Sequence, residues 1–135
     1  MVAVSVIINC YNGEKFLEKA INSIYAQTFS DWEIIFFDNK SSDRSASIAK
    51  KFDRKLKYYC ATKHISLGEA RNEAILLCSG KWVCFLDVDD LWDNNKLETQ
   101  INAINNTNYI LTYAGIRLID KEGLEFGIDL PLNKT

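Results

Sequence analysis

Short apolar runs alternate with amphipathic stretches along this chain, and the alternation predicts its elements. Val4 to Ile8 is a strand-like run interrupted by Ser5. Glu14 to Gln27 follows with Phe16, Leu17, Ala20, Ile21 and Ile24 at helical spacing. Asn12 or Gly13 is placed to cap that helix, and Glu14 sits where a negative charge favours a helix start. Glu33 to Phe37 is rich in Ile and Phe, the pattern of a strand buried on both faces. Ser41, Ser42 and Asp43 offer caps for a helix carrying Ala46, Ile48, Ala49 and Phe52 on its inner side.

The same alternation continues downstream. Leu56 to Cys60 reads as a third strand, and Leu67 to Cys78 as a helix that Gly80 would end. Trp82 to Leu86 is a fourth strand; Leu97, Ile101 and Ile104 mark a further helix. Tyr109 to Tyr113 reads as a fifth strand. Ile116 to Ile119 and Leu124 to Phe126 flank Asp120-Lys121-Glu122-Gly123, a hairpin turn. Strands alternating with helices predict an α/β fold: a mostly parallel sheet with helices on both faces, plus this C-terminal hairpin. One domain is expected over residues 1–126, followed by an irregular tail, 127–135, that holds the only proline, Pro131.

Composition supports that picture and narrows the partners. The 135 residues are 47% hydrophobic and 25% charged, ordinary values for a globular chain. Sixteen basic against eighteen acidic residues leave a net charge of −2, so the basic excess that grips a nucleic-acid backbone is absent. The first apolar run has no basic leader and is too short to span a bilayer, which predicts a cytoplasmic protein with no transmembrane segment. Cys10, Cys60, Cys78 and Cys84 show no Cys-x-x-Cys spacing. A metal site from Cys60, His64, Cys78 and Cys84 does not fit the common zinc patterns, and small apolar side chains in a reducing compartment are the better reading.

Candidate chemistry gathers at the carboxyl ends of the predicted strands, where open α/β sheets bind ligands. These ends are Asn9-Cys10-Tyr11-Asn12, Asp38-Asn39-Lys40-Ser41 and Asp87-Val88-Asp89-Asp90. In extended backbone Asp87 and Asp89 would share one side, and closely spaced carboxylates invite a cation. Mg²⁺ or Mn²⁺ suits such oxygen ligands, together with substrate phosphates. A solvated acidic loop is the plainer alternative, but position at the end of a buried strand favours the metal. Asp38 and Asn39 either hydrogen-bond a base or ribose or simply serve a strand-to-helix turn. Arg71, early in a helix, reaches a phosphate or forms an ion pair with a neighbour such as Glu69 or Glu73. Tyr11 could stack on a base. His64, the only histidine, is assigned no role. No Gly-x-Gly-x-x-Gly follows the first strand, and neither a P-loop nor a Gly-x-Ser-x-Gly elbow is present.

Taken in order, these segments resemble family 2 glycosyltransferases. Val4-Ser5-Val6-Ile7-Ile8-Asn9-Cys10-Tyr11-Asn12, then Ala20 to Ile24 with Gln27-Thr28, is similar to the family's opening. Glu33-Ile34-Ile35 running into Asp38, with Ser41, Ser42 and Asp43, matches its second strand and turn. Gly68, Ala70-Arg71-Asn72, Gly80, Phe85 to Asp90 and Lys96-Leu97-Glu98 complete a likeness over residues 3–126. The resemblance implies a GT-A (Rossmann-like) fold and an inverting, metal-dependent transfer from a nucleotide-diphosphate sugar, a UDP-sugar above all, to a hydroxyl of a glycan or lipid-linked acceptor. It further implies that this chain supplies the donor-binding half. Asn9, Tyr11, Asp38, Asn39, Arg71 and Asp87 would hold the nucleotide sugar: Tyr11 against the base, Asp38 and Asn39 at the base, Arg71 beside the nucleotide and Asp87 near the ribose. Asp89 with Asp90 would serve Mn²⁺ or Mg²⁺ and the diphosphate.

Two positions depart from the family pattern, which often has an acid where Asn39 stands and a glycine where Lys40 stands. The late acids Asp120, Glu122, Glu125 and Asp129 lie in no motif matched to the general base, so the catalytic base is expected outside this chain. Two other functions stay open at this point. One is a nucleotide-sugar-binding module or inactive fragment without turnover; the other is a metal-dependent nucleotidyl- or phosphotransferase. Self-association through an exposed sheet edge or apolar patch is a further expectation.

Overall fold

The computed structural model describes residues 2–125, and the chain divides into two compact units, Met1–Asn95 and Lys96–Thr135. The first unit is built on a parallel sheet of four strands: β1 (Val4–Cys10), β2 (Trp32–Asp38), β3 (Leu56–Cys60) and β4 (Trp82–Phe85), in the order β3-β2-β1-β4. β1 pairs with β2 along its whole length, from Val4 opposite Trp32 to Cys10 opposite Asp38. The helices are α1 (Leu17–Tyr25), α2 (Ser45–Ala49) and α3 (Leu67–Ile75). Right-handed crossovers running outward from β1 to β3, then back across the sheet to β4, put α1 and α2 on one face and α3 on the other. The α/β fold with helices on both faces is therefore present.

Side-chain alternation sorts the core. Ile7, Ile35 and Phe37 pack with Ala61, Ala70 and Ala74 on the α3 side. The small Ala70 and Ala74 let α3 lie close to the sheet. Val4, Val6, Ile8, Ile34 and Phe36 alternate to the other face, and α1 buries Leu17, Ala20, Ile21 and Ile24. Phe36 stacks on Tyr58 with ring centroids 5.8 Å apart.

Several details differ from the sequence expectation. Neither Asn12 nor Gly13 caps α1 with a side chain; the cap position is Phe16, and the Gly13 carbonyl accepts from the N–H groups of Phe16 and Leu17 at 3.1 and 3.0 Å. Gly80 does not end α3, which stops at Ile75. Its role is a close approach: a Cβ there would lie 2.5 Å from the Ser5 nitrogen and 2.8 Å from the Ser5 hydroxyl. That hydroxyl belongs to a network around the buried Glu33. Its Oε1 accepts from Ser5 Oγ at 2.6 Å and from Ser79 N and Oγ at 2.8 Å each, while Oε2 meets Lys57 Nζ at 2.6 Å.

The second unit contains α4 (Lys96–Asn105), whose Leu97 and Ile101 are buried. Tyr109–Tyr113 is not a strand. It pairs with no neighbour among the described residues, and Tyr109, Ile110, Leu111 and Tyr113 are exposed; an unpaired strand leaves its backbone donors and acceptors without a ladder. Among the described residues the expected hairpin shows one antiparallel bridge, Ile119 to Glu125, around a turn in which Asp120 Oδ1 accepts from Glu122 N and Leu124 N at 2.9 Å each. Met1, Phe126 and the tail expected at 127–135 lie outside the described residues. Among the described residues, no helix is long and apolar enough to cross a membrane.

Candidate active site

The outward and return runs of the chain diverge at β1 and β4, so the crevice of this sheet lies beyond their carboxyl ends. Two loops meet there, and their backbones are tied by side chains. The N–H groups of Asn12, Gly13 and Glu14 donate to Ser41 Oγ (3.0 Å), Ser45 Oγ (3.0 Å) and Asp43 Oδ2 (2.9 Å). In return, Asn12 Oδ1 accepts from Ser42 N at 2.8 Å and Glu14 Oε2 from Arg44 N at 2.9 Å. Asn12 and Lys40 reach this geometry in left-handed backbone, at φ 52° and 65°. Asparagine adopts that region with local hydrogen bonds, whereas lysine stands there against a steric cost. The stitched loops hold Tyr11 at the rim, 54% exposed.

Asp38 and Asn39 lie beneath, 2% and 6% exposed. Asp38 Oδ1 accepts from Ser41 N at 2.8 Å and Oδ2 from Tyr58 Oη at 2.6 Å. Burial and the adjacent Asp38 carboxylate push the Tyr58 hydroxyl well above its ordinary pKa, so it stays a donor. The Asn39 amide pairs with one residue in both directions, accepting from Ile65 N at 3.0 Å and donating to Ile65 O at 2.8 Å. Sequence reasoning missed Tyr58, although its place opposite Phe36 follows from the strand register.

On the other side of β1, Arg71 Nη2 meets Asp87 Oδ1 at 3.1 Å, and the guanidinium lies 5.4 Å from the Phe85 ring centre. The neighbour Glu69 is used instead in a capping box with Ser66, the N-cap of α3. Beyond β4 the backbone is not extended. Asp90 N donates to Asp87 O at 3.1 Å, closing a turn that crowds three acids. Val88 packs inward over Gly13, where an added Cβ would be 3.2 Å from it. Burial, and then the charges of Asp89 and Asp87, push the Asp90 carboxyl above its ordinary range. Asn9, last but one in β1, has both amide atoms buried without a hydrogen-bond partner among the described residues.

Among the described residues no group of three or more His, Cys, Asp or Glu side chains could hold a metal ion by itself, and Cys60, His64, Cys78 and Cys84 form no such cluster. The crowded turn fits a divalent cation of another kind, one held by one or two carboxylates and completed by a ligand's phosphates. The turn that draws Asp87, Asp89 and Asp90 together, closed by Asp90 N on Asp87 O, is the observation behind that fit. In the second unit Glu125 pairs with Arg117 at 2.7 Å and Glu122 with Lys121 at 3.5 Å.

The profile of the family described as Glycosyl transferase family 2 matches residues 5–131. Over 122 residues the chain is 33% identical to the UDP-Glc:alpha-D-GlcNAc-diphosphoundecaprenol beta-1,3-glucosyltransferase WfgD of Escherichia coli, covering 90% of this chain and 48% of that protein. It is 30% identical to the putative teichuronic acid biosynthesis glycosyltransferase TuaG of Bacillus subtilis, covering 89% of this chain and 49% of that one. The chain thus spans about half the length of these relatives. Among solved structures it is similar to S. aureus TarS 1-349 in complex with UDP-GlcNAc, with a TM-score of 0.74 and 29% identity over 77% of this chain and 31% of that one. The mannosyltransferase PcManGT of Pyrobaculum calidifontis, in complex with GDP-Man and Mn²⁺, gives 0.68 and 25% over 76% and 31%. By sequence profile and by the architecture of its sheet, the chain belongs to glycosyl transferase family 2.

Proposed function

We propose that this chain is the donor-binding part of an inverting glycosyltransferase that takes a UDP-sugar and a divalent metal. The observation that supports it most is the layout at the strand ends: an exposed aromatic ring just past β1, an Arg71–Asp87 pair and a crowded acidic turn after β4. In this reading the uracil stacks on Tyr11, bordered by Asp38 and Asn39 at the end of β2. Asp87, turned outward with Arg71, lies where a ribose would pass, and Asn9 offers an amide that burial makes costly to leave without a partner. Asp89 and Asp90 would hold Mn²⁺ or Mg²⁺ with the diphosphate. Bound there, the metal supplies charge neutralisation to the departing diphosphate. The acceptor would be a glycan or a lipid-linked hydroxyl, and the general base that deprotonates it would come from residues outside this chain.

UDP belongs to the TarS complex and GDP-mannose to the PcManGT complex, so the nucleotide is the choice to test. Calorimetric titration of UDP and GDP into the 135-residue chain, with and without Mn²⁺, tests it, with Asp89→Ala as the control. UDP binding that needs Mn²⁺ and is lost in the variant is the expected result. Binding of neither nucleotide to the folded chain would end the donor-site reading, and preferential binding of GDP would end the UDP assignment. A second reading is binding without turnover; sugar transfer by the purified chain would overturn it.

A further inference from the structure

His64 has a structural position that its sequence context does not announce. Its ring centroid is 4.3 Å from that of Tyr11, with the planes tilted by 51°. Its Nδ1 lies 3.1 Å from the Asn39 carbonyl oxygen. A carbonyl only accepts, so Nδ1 must carry the proton and donate. The loop that bears His64 is fixed on both sides: Ala61 N donates to Asp38 O at 2.9 Å, and the Asn39 amide grips Ile65 in both directions. One residue later Ser66 caps α3. The imidazole is thus held by the end of β2 and packs against a side chain at the end of β1.

From this geometry we infer that His64 is a positioning residue for the nucleotide base, seating the Tyr11 ring and tying it to the Asn39 backbone. The inference rests on the reading that Tyr11 carries the base. A tyrosine more than half exposed would otherwise lose side-chain freedom each time a base stacked on it; packing against His64 removes that freedom beforehand, and preorganisation of this kind strengthens binding. The same contact gives Asn39 its part. Its amide, engaged with Ile65, holds the loop that holds His64. A carboxylate at that position could accept from Ile65 N but could not donate to Ile65 O, so the residue type matches the clamp.

The test titrates two probes, UDP and inorganic pyrophosphate, each with Mn²⁺, into the full chain and its His64→Ala, His64→Phe and His64→Gln variants. Alanine should weaken UDP about tenfold, the scale of an aromatic contact plus a hydrogen bond, and leave pyrophosphate unchanged. Phenylalanine, which keeps a ring, and glutamine, which keeps a donor, should each recover part of the loss. Wild-type UDP affinity in the alanine variant, or equal losses for UDP and pyrophosphate, would overturn the positioning role. If the wild-type chain binds no nucleotide, the donor-site reading fails first, and the free protein still answers for His64. Its ring should show the Nδ1–H tautomer by NMR, and His64→Ala should set the Tyr11 ring averaging between rotamers. Unchanged Tyr11 signals would refute the contact.

Discussion

Replacing Glu33 with glutamine tests whether one buried carboxylate stabilises the sheet at the end remote from the proposed site. Burial by itself pushes this carboxyl up, but hydrogen bonds from Lys57, Ser5 and Ser79 outweigh it and hold the group at about 2 instead of the ordinary 4.5. The Glu33 side chain is 4% exposed and its Lys57 partner 43%, so solvent screens part of the ion pair while the serine hydrogen bonds stay shielded. At ~1.4 kcal/mol per pKa unit, the difference contributes at most about 3 kcal/mol at neutral pH. A lowered folded-state pKa means that the contribution is fully present above the unfolded value of 4.5 and is lost as pH falls towards 2. Glutamine keeps an acceptor for the serines but turns an amide towards Lys57, so Glu33→Gln should cost about 2–3 kcal/mol at pH 7. Urea denaturation at several pH values between 7 and 2.5 reads both quantities. The wild type should lose stability faster than the variant on acidification, so that the two curves converge. Parallel curves, or a cost below about 0.5 kcal/mol at pH 7, would refute the reasoning.

Other outcomes follow from the geometry. Gly80→Ala should destabilise by about 2 kcal/mol or more, because the new methyl meets Ser5 backbone that cannot move without disturbing β1; thermal or urea unfolding checks it. Lys40→Gly should stabilise by up to about 1 kcal/mol by relieving the left-handed backbone at φ 65°, and an unchanged urea midpoint would count against that strain. Asp90→Asn should raise stability at pH 7, since a raised folded-state pKa makes the ionised group unfavourable. That gain should vanish as the pH falls below the ordinary carboxylate range, and its persistence at acidic pH would contradict the raised folded-state pKa. Tyr11→Ala should weaken UDP by about 1–3 kcal/mol, the usual cost of removing a stacked ring, measured by calorimetry.

The strands were legible where burial on both faces writes continuous apolar runs, as in Val4–Ile8 and Glu33–Phe37. Tyr109–Tyr113 carries a comparable run but has no partner strand among the described residues, and pairing is a property of two segments that one segment's pattern cannot reveal. Gly80 was visible as a breaker, whereas its contact with Ser5 depends on β1 and β4 being neighbours. At the strand ends the acids and Tyr11 followed from the rule for ligand crevices. The partners that fix them did not: Tyr58 on Asp38, His64 on Tyr11 and Asp87 on Arg71 join residues brought together by the fold. The start of α3 at Leu67 was legible, and the Ser66-x-x-Glu69 capping box in the local sequence accounts for it; the helix ends at Ile75 and not at Cys78.

The strand order has a consequence for biosynthesis. Because β1 lies between β2 and β4, the chain through Cys60 can already lay down β3-β2-β1, while the other side of β1 waits for Trp82–Phe85. A nascent chain therefore leaves the ribosome with the apolar strand β1 open along one edge until Trp82–Phe85 has also emerged. That interval is when the protein is most prone to pair with a second nascent copy. A chain stalled with Cys60 but not Trp82 clear of the ribosome should thus be bound more strongly by chaperones than one stalled with Asn95 clear.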